Sequence, residues 1–248
     1  MDAAISKSFE PLIRPAGLDG VLVSFGDALT EPANRAALAF ATEVEKAGID
    51  GVEDCAPSLV SVFVQFDPVH LEFEALVDRL EALLRVRTWF DAAMPEGRRF
   101  IRVPTVYGTD LAPQLDEAAK AAGLSSEEAI AQLAESRVRV QTIGFAPGQP
   151  YLGLLPEVWD IPRQTALTKA VPEGALVVAI RQLVLFSVSS PTGWRHVGQT
   201  ALKLFRPDSD TPFFLRPGDE VQFVPATPDV LKHHADDPNG GAEIEAIR

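Results

Sequence analysis

The chain has 248 residues, of which 46% are hydrophobic and 23% charged. That is globular composition, long enough for one large domain or two small ones, and it excludes disorder as the main state. Lys and Arg total 22 against 35 Asp and Glu, a formal net charge of -13, so neither nucleic acid nor an anionic membrane surface is an expected partner. One cysteine, Cys55, excludes an intrachain disulfide. With only His70, His196, His233 and His234 beside it, no metal site is expected.

Met1 to Glu10 holds no apolar run of the leader type. The longest apolar stretch, Ala175 to Val188, is interrupted by Arg181 and Gln182. A cytoplasmic location is therefore expected.

In chain order, Val21 to Phe25 reads as a strand. A helix from Pro32 to Ala47 follows, with Thr30 as its N-cap and Gly48 as its stop. Val52 to Ala56 and Ser58 to Phe66 read as two further strands, the second apolar on both faces and hence central. Glu72 to Arg85 carries Phe73, Leu76, Leu80 and Leu83 at helical spacing. The rhythm is βαββα, with Arg99 to Val103 as a further strand, and it matches a ferredoxin-like layer of helices on an antiparallel sheet. Ala92 to Arg99 reads as a linker. Beyond it come a strand at Ile101 to Val106 and helices at Asp110 to Ala122 and Ser126 to Glu135. Ser125 and Glu128 stand in capping-box spacing before the second helix. From Val138 onward, short strands punctuated by Gly and Pro predict a closed β-barrel: Val138 to Ile143, Ala175 to Ala179, Val184 to Val188, Arg195 to Thr200 and Glu220 to Val224. The polar tail from Lys232 is expected to be loose.

Three segments carry chemistry. Gly144-Phe145-Ala146-Pro147-Gly148-Gln149-Pro150-Tyr151-Leu152-Gly153 forces an irregular, rigid backbone. Its N–H groups suit a carboxylate or amide ligand, and a tight structural corner is the alternative. Gly193 to Thr200 brings Trp194, Arg195 and His196 together, and an imidazole suits acid–base work. On a strand, Trp194 and His196 share one side while Arg195 takes the other. Arg181 and Gln182 interrupt an apolar run, so Arg181 either meets an anion or marks a turn with its head in solvent. Arg163 has the same two readings. No phosphate-binding glycine loop ending in Gly-Lys and no G-x-S-x-G elbow is present, so ATP binding by this chain alone and a serine triad are not expected.

The Gly144–Gly153 segment resembles the GFxPGFPYLG signature of the family called allophanate hydrolase subunit 1, or carboxyltransferase domain subunit 1. The likeness extends over nearly the whole chain. Pro15 to Asp27 is similar to the family's PAGDxALLVEFGD, Val106 to Leu115 to VxYGGxxGPDL, and Val171-Pro172-Glu173-Gly174 to VPxG. Ser190 to Thr200 is similar to SPGGWxxIGRT, and Leu215 to Pro225 to LRPGDxVxFxP. The resemblance implies a ferredoxin-like domain over 1–94 and a cyclophilin-like β-barrel over 95–248. It implies the non-ATPase subunit of an ATP-dependent 5-oxoprolinase, which opens the lactam to glutamate. ATP would be used by the assembled complex, with no cofactor on this chain alone. The implied partners are a second carboxyltransferase-like subunit (subunit 2, or PxpC type) and a lactam-handling subunit (PxpA type). KipI-like inhibition of a sensor histidine kinase, and carboxyltransferase work in urea or allophanate metabolism, are the alternatives within the same family.

Four departures stand out. Gln149 replaces the signature's second Phe. The family's GGQTG is reduced to Ile180-Arg181-Gln182-Leu183-Val184. Its TPR becomes Ala166-Leu167-Thr168, and a His common before the signature becomes Leu133. The expected site residues are Gly148, Tyr151, Gln182 and Arg181 for substrate, with Arg195 and His196 for catalysis.

Overall fold

A computed structural model describes residues 10–247. The expectation that Met1 to Glu10 carries no leader falls almost wholly outside them. The chain divides into two compact units between Glu96 and Gly97.

The first unit runs β1 (Leu12–Pro15), β2 (Gly20–Ser24), α1 (Glu31–Ala47), β3 (Val52–Ser58), β4 (Ser61–Phe66) and α2 (Phe73–Leu84). Its strands pair antiparallel in the order β1-β2-β4-β3. Thr30 Oγ1 accepts the Ala33 N–H at 3.3 Å and caps α1, which ends at Gly48. The buried face of α1 is mostly alanine, so its backbone lies close to the sheet. Phe40 reaches between Phe25 and Trp89, with ring centroids 5.4 and 5.0 Å away. Leu76 and Leu80 close the core from α2. Cys55 is part-buried, and desolvation, then Glu45 and Asp54, push its thiol up to about 12, so it is not a nucleophile near neutrality. One expectation is corrected: the fourth strand of this sheet is β1, not Arg99 to Val103. The β1–β2 hairpin is local, and Ala16 N–H closes its turn on the Gly20 carbonyl at 2.8 Å. That leaves the later segment to the second unit.

The second unit contains β5 (Arg99–Tyr107), α3 (Leu115–Ala122), α4 (Ser126–Glu135), β6 (Val138–Ile143) and β7 (Pro150–Gly153). It continues with β8 (Thr168–Val171), β9 (Ala175–Ala179), β10 (Gln182–Leu185), β11 (Ser190–Thr192) and β12 (Arg195–Gln199). It ends with β13 (Glu220–Pro225), α5 (Pro228–His233) and β14 (Glu243–Ala246). Pairing in the order β6-β13-β5-β12-β9-β10-β7 returns to β6 and closes a seven-stranded barrel. All of these pairs are antiparallel except β13 with β5. Ile101, Val140, Leu152, Val178, Leu183, Val197 and Phe223 belong to one buried cluster and supply one side chain from each strand, so this face points inward. A second cluster holds Val177, Val184, Phe186 and Trp194 on the opposite face, together with Val171 of β8. The barrel wall is thus buried on both sides, which explains its unbroken apolar runs.

Ser125 and Glu128 form the capping box of α4. The preceding helix begins at Leu115, not Asp110. Ala112 precedes Pro113, and a residue before proline is driven out of the helical region. β10 spans Gln182–Leu185 rather than Val184 to Val188, because Ile180-Arg181 is the two-residue turn of the β9–β10 hairpin. The tail is not loose. It forms α5 and then β14, which pairs antiparallel with β5, and Arg102 bonds Glu245 at 2.5 Å. Among the described residues no helix is long and apolar enough to cross a membrane.

Candidate functional site

The wall made by β7, β10, β9 and β12 carries most of the polar side chains that sequence singled out. Register aligns Thr142, Tyr151, Val184, Val177 and His196 in one cross-strand row. The neighbouring row is Gly153, Gln182 and Ala179. Paired positions share a face, so Tyr151, Gln182 and His196 all lie on the outward side of the wall. Tyr151 and His196 are three strands apart, about 14 Å between backbones at ordinary strand spacing. Two polar groupings therefore share this face.

At the β7–β10 end, a bulge in β6 between Val140 and Thr142 leaves Gln141 unopposed. Its carboxamide lies over Gly153, where an added Cβ would come within 2.9 Å of Oε1. Gly153 is glycine because that close approach leaves no room for a side chain. Gln182 Nε2 donates to Gln141 Oε1 at 2.9 Å, fixing both amides. Half-buried Tyr151 stands beside them and meets the Trp194 ring edge-on, centroids 6.2 Å apart.

At the β12 end, His196 is held by its backbone. Its N–H donates to Gln114 Oε1 at 2.9 Å, and its carbonyl accepts the Gln114 N–H at 3.0 Å. Gln114 is tied in turn to Gln164 and Thr168, and Gln164 donates to the Trp194 carbonyl at 2.9 Å. The imidazole is buried and its Nε2 has no partner. Burial lowers its pKa, opposed by the Gly198 backbone and the Gln199 side chain, so the ring is neutral at pH 7. Neutral imidazole is the form that accepts a proton.

Three expected residues stand elsewhere. Arg195 pairs in register with Val178 and so faces away from His196. Its Nε bonds Glu117 at 2.9 Å and a terminal N–H bonds the Pro162 carbonyl at 2.7 Å. Both bonds lie away from the wall, and strand alternation forbids grouping it with His196. Arg181 occupies the β9–β10 turn. Its Nε donates to the Leu155 carbonyl at 2.9 Å, and its own N–H and carbonyl bond Trp159 and Leu155. Both turn residues adopt left-handed φ, +43° at Ile180 and +61° at Arg181, as two-residue hairpin turns require. The turn alternative describes Arg181, a half-buried residue whose Nε rests on a backbone carbonyl. Gly148 lies in the loop joining β6 to β7, at φ +71° with the Leu204 carbonyl 3.0 Å from the place of a Cβ. A glycine is needed there for backbone reasons alone.

Gln141, Gln114 and Gln199 escaped sequence reasoning. Their signal was faint: a lone amide inside or beside an apolar run. Among the described residues no group of three His, Cys, Asp or Glu side chains is arranged to hold a metal ion.

The family model for the carboxyltransferase domain, subdomain C and D, matches residues 11–215. The 5-oxoprolinase B subunit of Bacillus subtilis (strain 168) is 32% identical over 223 residues, which is 86% of this chain and 91% of that one. The corresponding B subunit of Escherichia coli O157:H7 is 39% identical over 149 residues, 59% of this chain and 68% of that one. The solved structure of TTHA0988 superposes with a TM-score of 0.71 at 30% identity over 87% of this chain, and this chain spans 40% of it. The Kluyveromyces lactis urea amidolyase superposes with a TM-score of 0.74 at 18% identity, a likeness of fold alone, with 97% of this chain covering 16% of that one. With the family's motifs in order and its model spanning most of the sequence, the chain belongs to the family of the carboxyltransferase domain, subdomain C and D.

Proposed function

We propose that this chain is the B component, without ATPase activity of its own, of an ATP-dependent 5-oxoprolinase located in the cytoplasm. The observation that carries the reading is its likeness to relatives named for that role, above all the Bacillus subtilis protein matched over 91% of its length. A lettered subunit goes with a multi-subunit complex. In our reading the partners are a second carboxyltransferase-like subunit and a lactam-handling subunit. Residues 10–96 are read as a ferredoxin-like domain, a split β-α-β whose fourth sheet position is taken by the preceding strand β1.

The small amide or lactam is placed against Tyr151, Gln141 and Gln182, where a phenol and two mutually fixed carboxamides offer hydrogen bonds to a planar amide. His196, about 14 Å along the wall, is beyond a ring bound there. It acts as a positioning residue of the wall through its backbone ties to Gln114, as Arg195 does through Glu117 and the Pro162 carbonyl. The wall does not suit a triphosphate, since its polar groups are neutral and Arg181 and Arg195 are engaged elsewhere. ATP is therefore assigned to the assembled complex, and no step on this chain runs through it.

The test is 5-oxoproline-dependent phosphate release by the complex of this chain with its partner subunits, against the same mixture without it. Activity that requires this chain is expected, and Gln182→Ala is expected to lower turnover about tenfold, the worth of one buried hydrogen bond. Folded, associated subunits that release no phosphate would remove the 5-oxoprolinase reading.

A further inference from the structure

Among the described residues, β12 pairs with β5 only at Gly198 with Tyr107 and at Gln199 with Val106, and the Gly108 N–H adds one bond to the Val197 carbonyl at 3.2 Å. From His196 back to Gly193, that edge meets no strand. Two glutamines take the strand's place. Gln114 exchanges both bonds with the His196 backbone. Gln164 donates its backbone N–H to the Gly193 carbonyl at 2.7 Å and its Nε2 to the Trp194 carbonyl at 2.9 Å. The two carboxamides are joined, Gln114 Nε2 to Gln164 Oε1 at 2.8 Å, and Gln164 Nε2 also reaches Thr168 Oγ1 at 3.4 Å. Each polar atom of the Gln164 side chain is therefore in use.

Trp194 is where this ladder meets the wall. Both of its backbone groups end on side chains, the N–H on Thr192 Oγ1 at 3.0 Å and the carbonyl on Gln164. The indole is 7% exposed, packs with Val177, Val184 and Phe186, and meets Tyr151 edge-on. Tyr151 is half-buried, so its ring is the side of this contact that solvent and a ligand reach. Edge-to-face pairs are directional, so the setting of the indole decides how the Tyr151 ring lies. We infer that Gln164 is a positioning residue: through the Trp194 backbone and indole, it fixes the phenol of Tyr151 in the orientation that the lactam meets. This rests on the placement of the lactam at Tyr151 and Gln182 proposed above.

The experiment uses Gln164→Glu, which keeps the shape and the acceptor for Gln114 but turns an oxygen toward the Trp194 carbonyl. The full chain labelled with 5-fluorotryptophan gives three fluorine resonances, from Trp89, Trp159 and Trp194, the last assigned with Trp194→Phe. Gln164→Glu is expected to move the Trp194 resonance and leave that of Trp89 in place. Affinity for 5-oxoproline, read by calorimetry, should fall about fivefold, the worth of one hydrogen bond. In the assembled complex KM should rise by a similar factor, with kcat within about twofold, because binding and not the chemical step is disturbed. Thr192→Val removes the acceptor of the Trp194 N–H and tests the same step from its other side, with the same expected directions, so the outcome does not hang on the folding of one variant. An unmoved Trp194 resonance, or a moved one with affinity unchanged, overturns the inference and leaves the glutamines purely structural. Tyr151→Ala separates this role from the reading beneath it. Affinity lost in Tyr151→Ala but kept in Gln164→Glu overturns the positioning role and keeps the lactam at Tyr151. Affinity kept in Tyr151→Ala overturns the placement and the positioning role with it, and no binding of 5-oxoproline by chain or complex overturns both.

Discussion

In the first unit, fully buried Asn34 gives its Nδ2 to the Leu59 carbonyl at 2.6 Å, and Trp89 gives Nε1 to the Leu84 carbonyl at 3.0 Å. In the barrel, Gln149 Oε1, Ser187 Oγ and His196 Nε2 are buried and have no partner. Gln149 precedes β7 and His196 lies on β12, two strands of one wall. The first unit is built for stability, with small helix residues, clustered rings and paired polar atoms. The barrel keeps polar groups whose partners are not in the fold, as expected where structure has been traded for recognition.

The sharpest way to break this contrast is Phe40→Ala. Emptying the space between Phe25 and Trp89 should cost about 3–5 kcal/mol in urea unfolding of the full chain, with lactam affinity unchanged in the folded protein. A loss of under about 1 kcal/mol would mean that this core is not close-packed. Gly148→Ala should cost about 1–3 kcal/mol, since the new Cβ combines left-handed φ with the Leu204 carbonyl. Full stability in that variant would show the loop to be adjustable and would return Gly148 to a ligand role.

Ile180→Gly should instead raise stability by about 1 kcal/mol, because a β-branched residue sits at left-handed φ in the hairpin turn. An unchanged or lowered midpoint would mean that the half-exposed Ile180 side chain has a packing role that outweighs its backbone. The smallest effect is a pH slope. Burial holds His196 below its ordinary value of 6.5. The unfolded chain therefore binds the proton first, and stability falls as pH drops from about 6.5 toward the lower folded value. Melting curves between pH 7 and 5 should show the unaltered chain losing more than His196→Gln. Parallel curves would place the imidazole in water rather than in the wall.

Much of the frame was legible because local rules dominate it. Thr30 and Gly48 bracket α1, Ser125 and Glu128 cap α4, and Val138–Ile143 and Ala175–Ala179 are the strands that their β-branched runs predict. The errors came from strand pairing that composition does not show. The local β1–β2 hairpin took the place expected for Arg99 to Val103 in the first sheet, and β14 was drawn out of a polar tail by long-range pairing with β5. The site was legible in type but not in arrangement. Tyr151, Gln182 and His196 share a face, yet the separation of Tyr151 from His196 follows from strand order, which composition does not reveal. Gln141 was invisible because a bulge, not its neighbours in sequence, turns it onto Gly153.

The parallel pairing of β5 with β13 has a consequence for synthesis. Arg99 meets Asp219 across 120 positions of chain. At about 5–20 residues per second, β5 leaves the ribosome roughly 6 to 24 s before the strand that completes one of its edges. During that interval its buried run, from Phe100 to Tyr107, has no barrel to enter. The nascent chain exposes a sticky β-edge until Glu220–Pro225 arrives, so a holdase chaperone that covers nascent strands should decide how much of this protein is recovered folded.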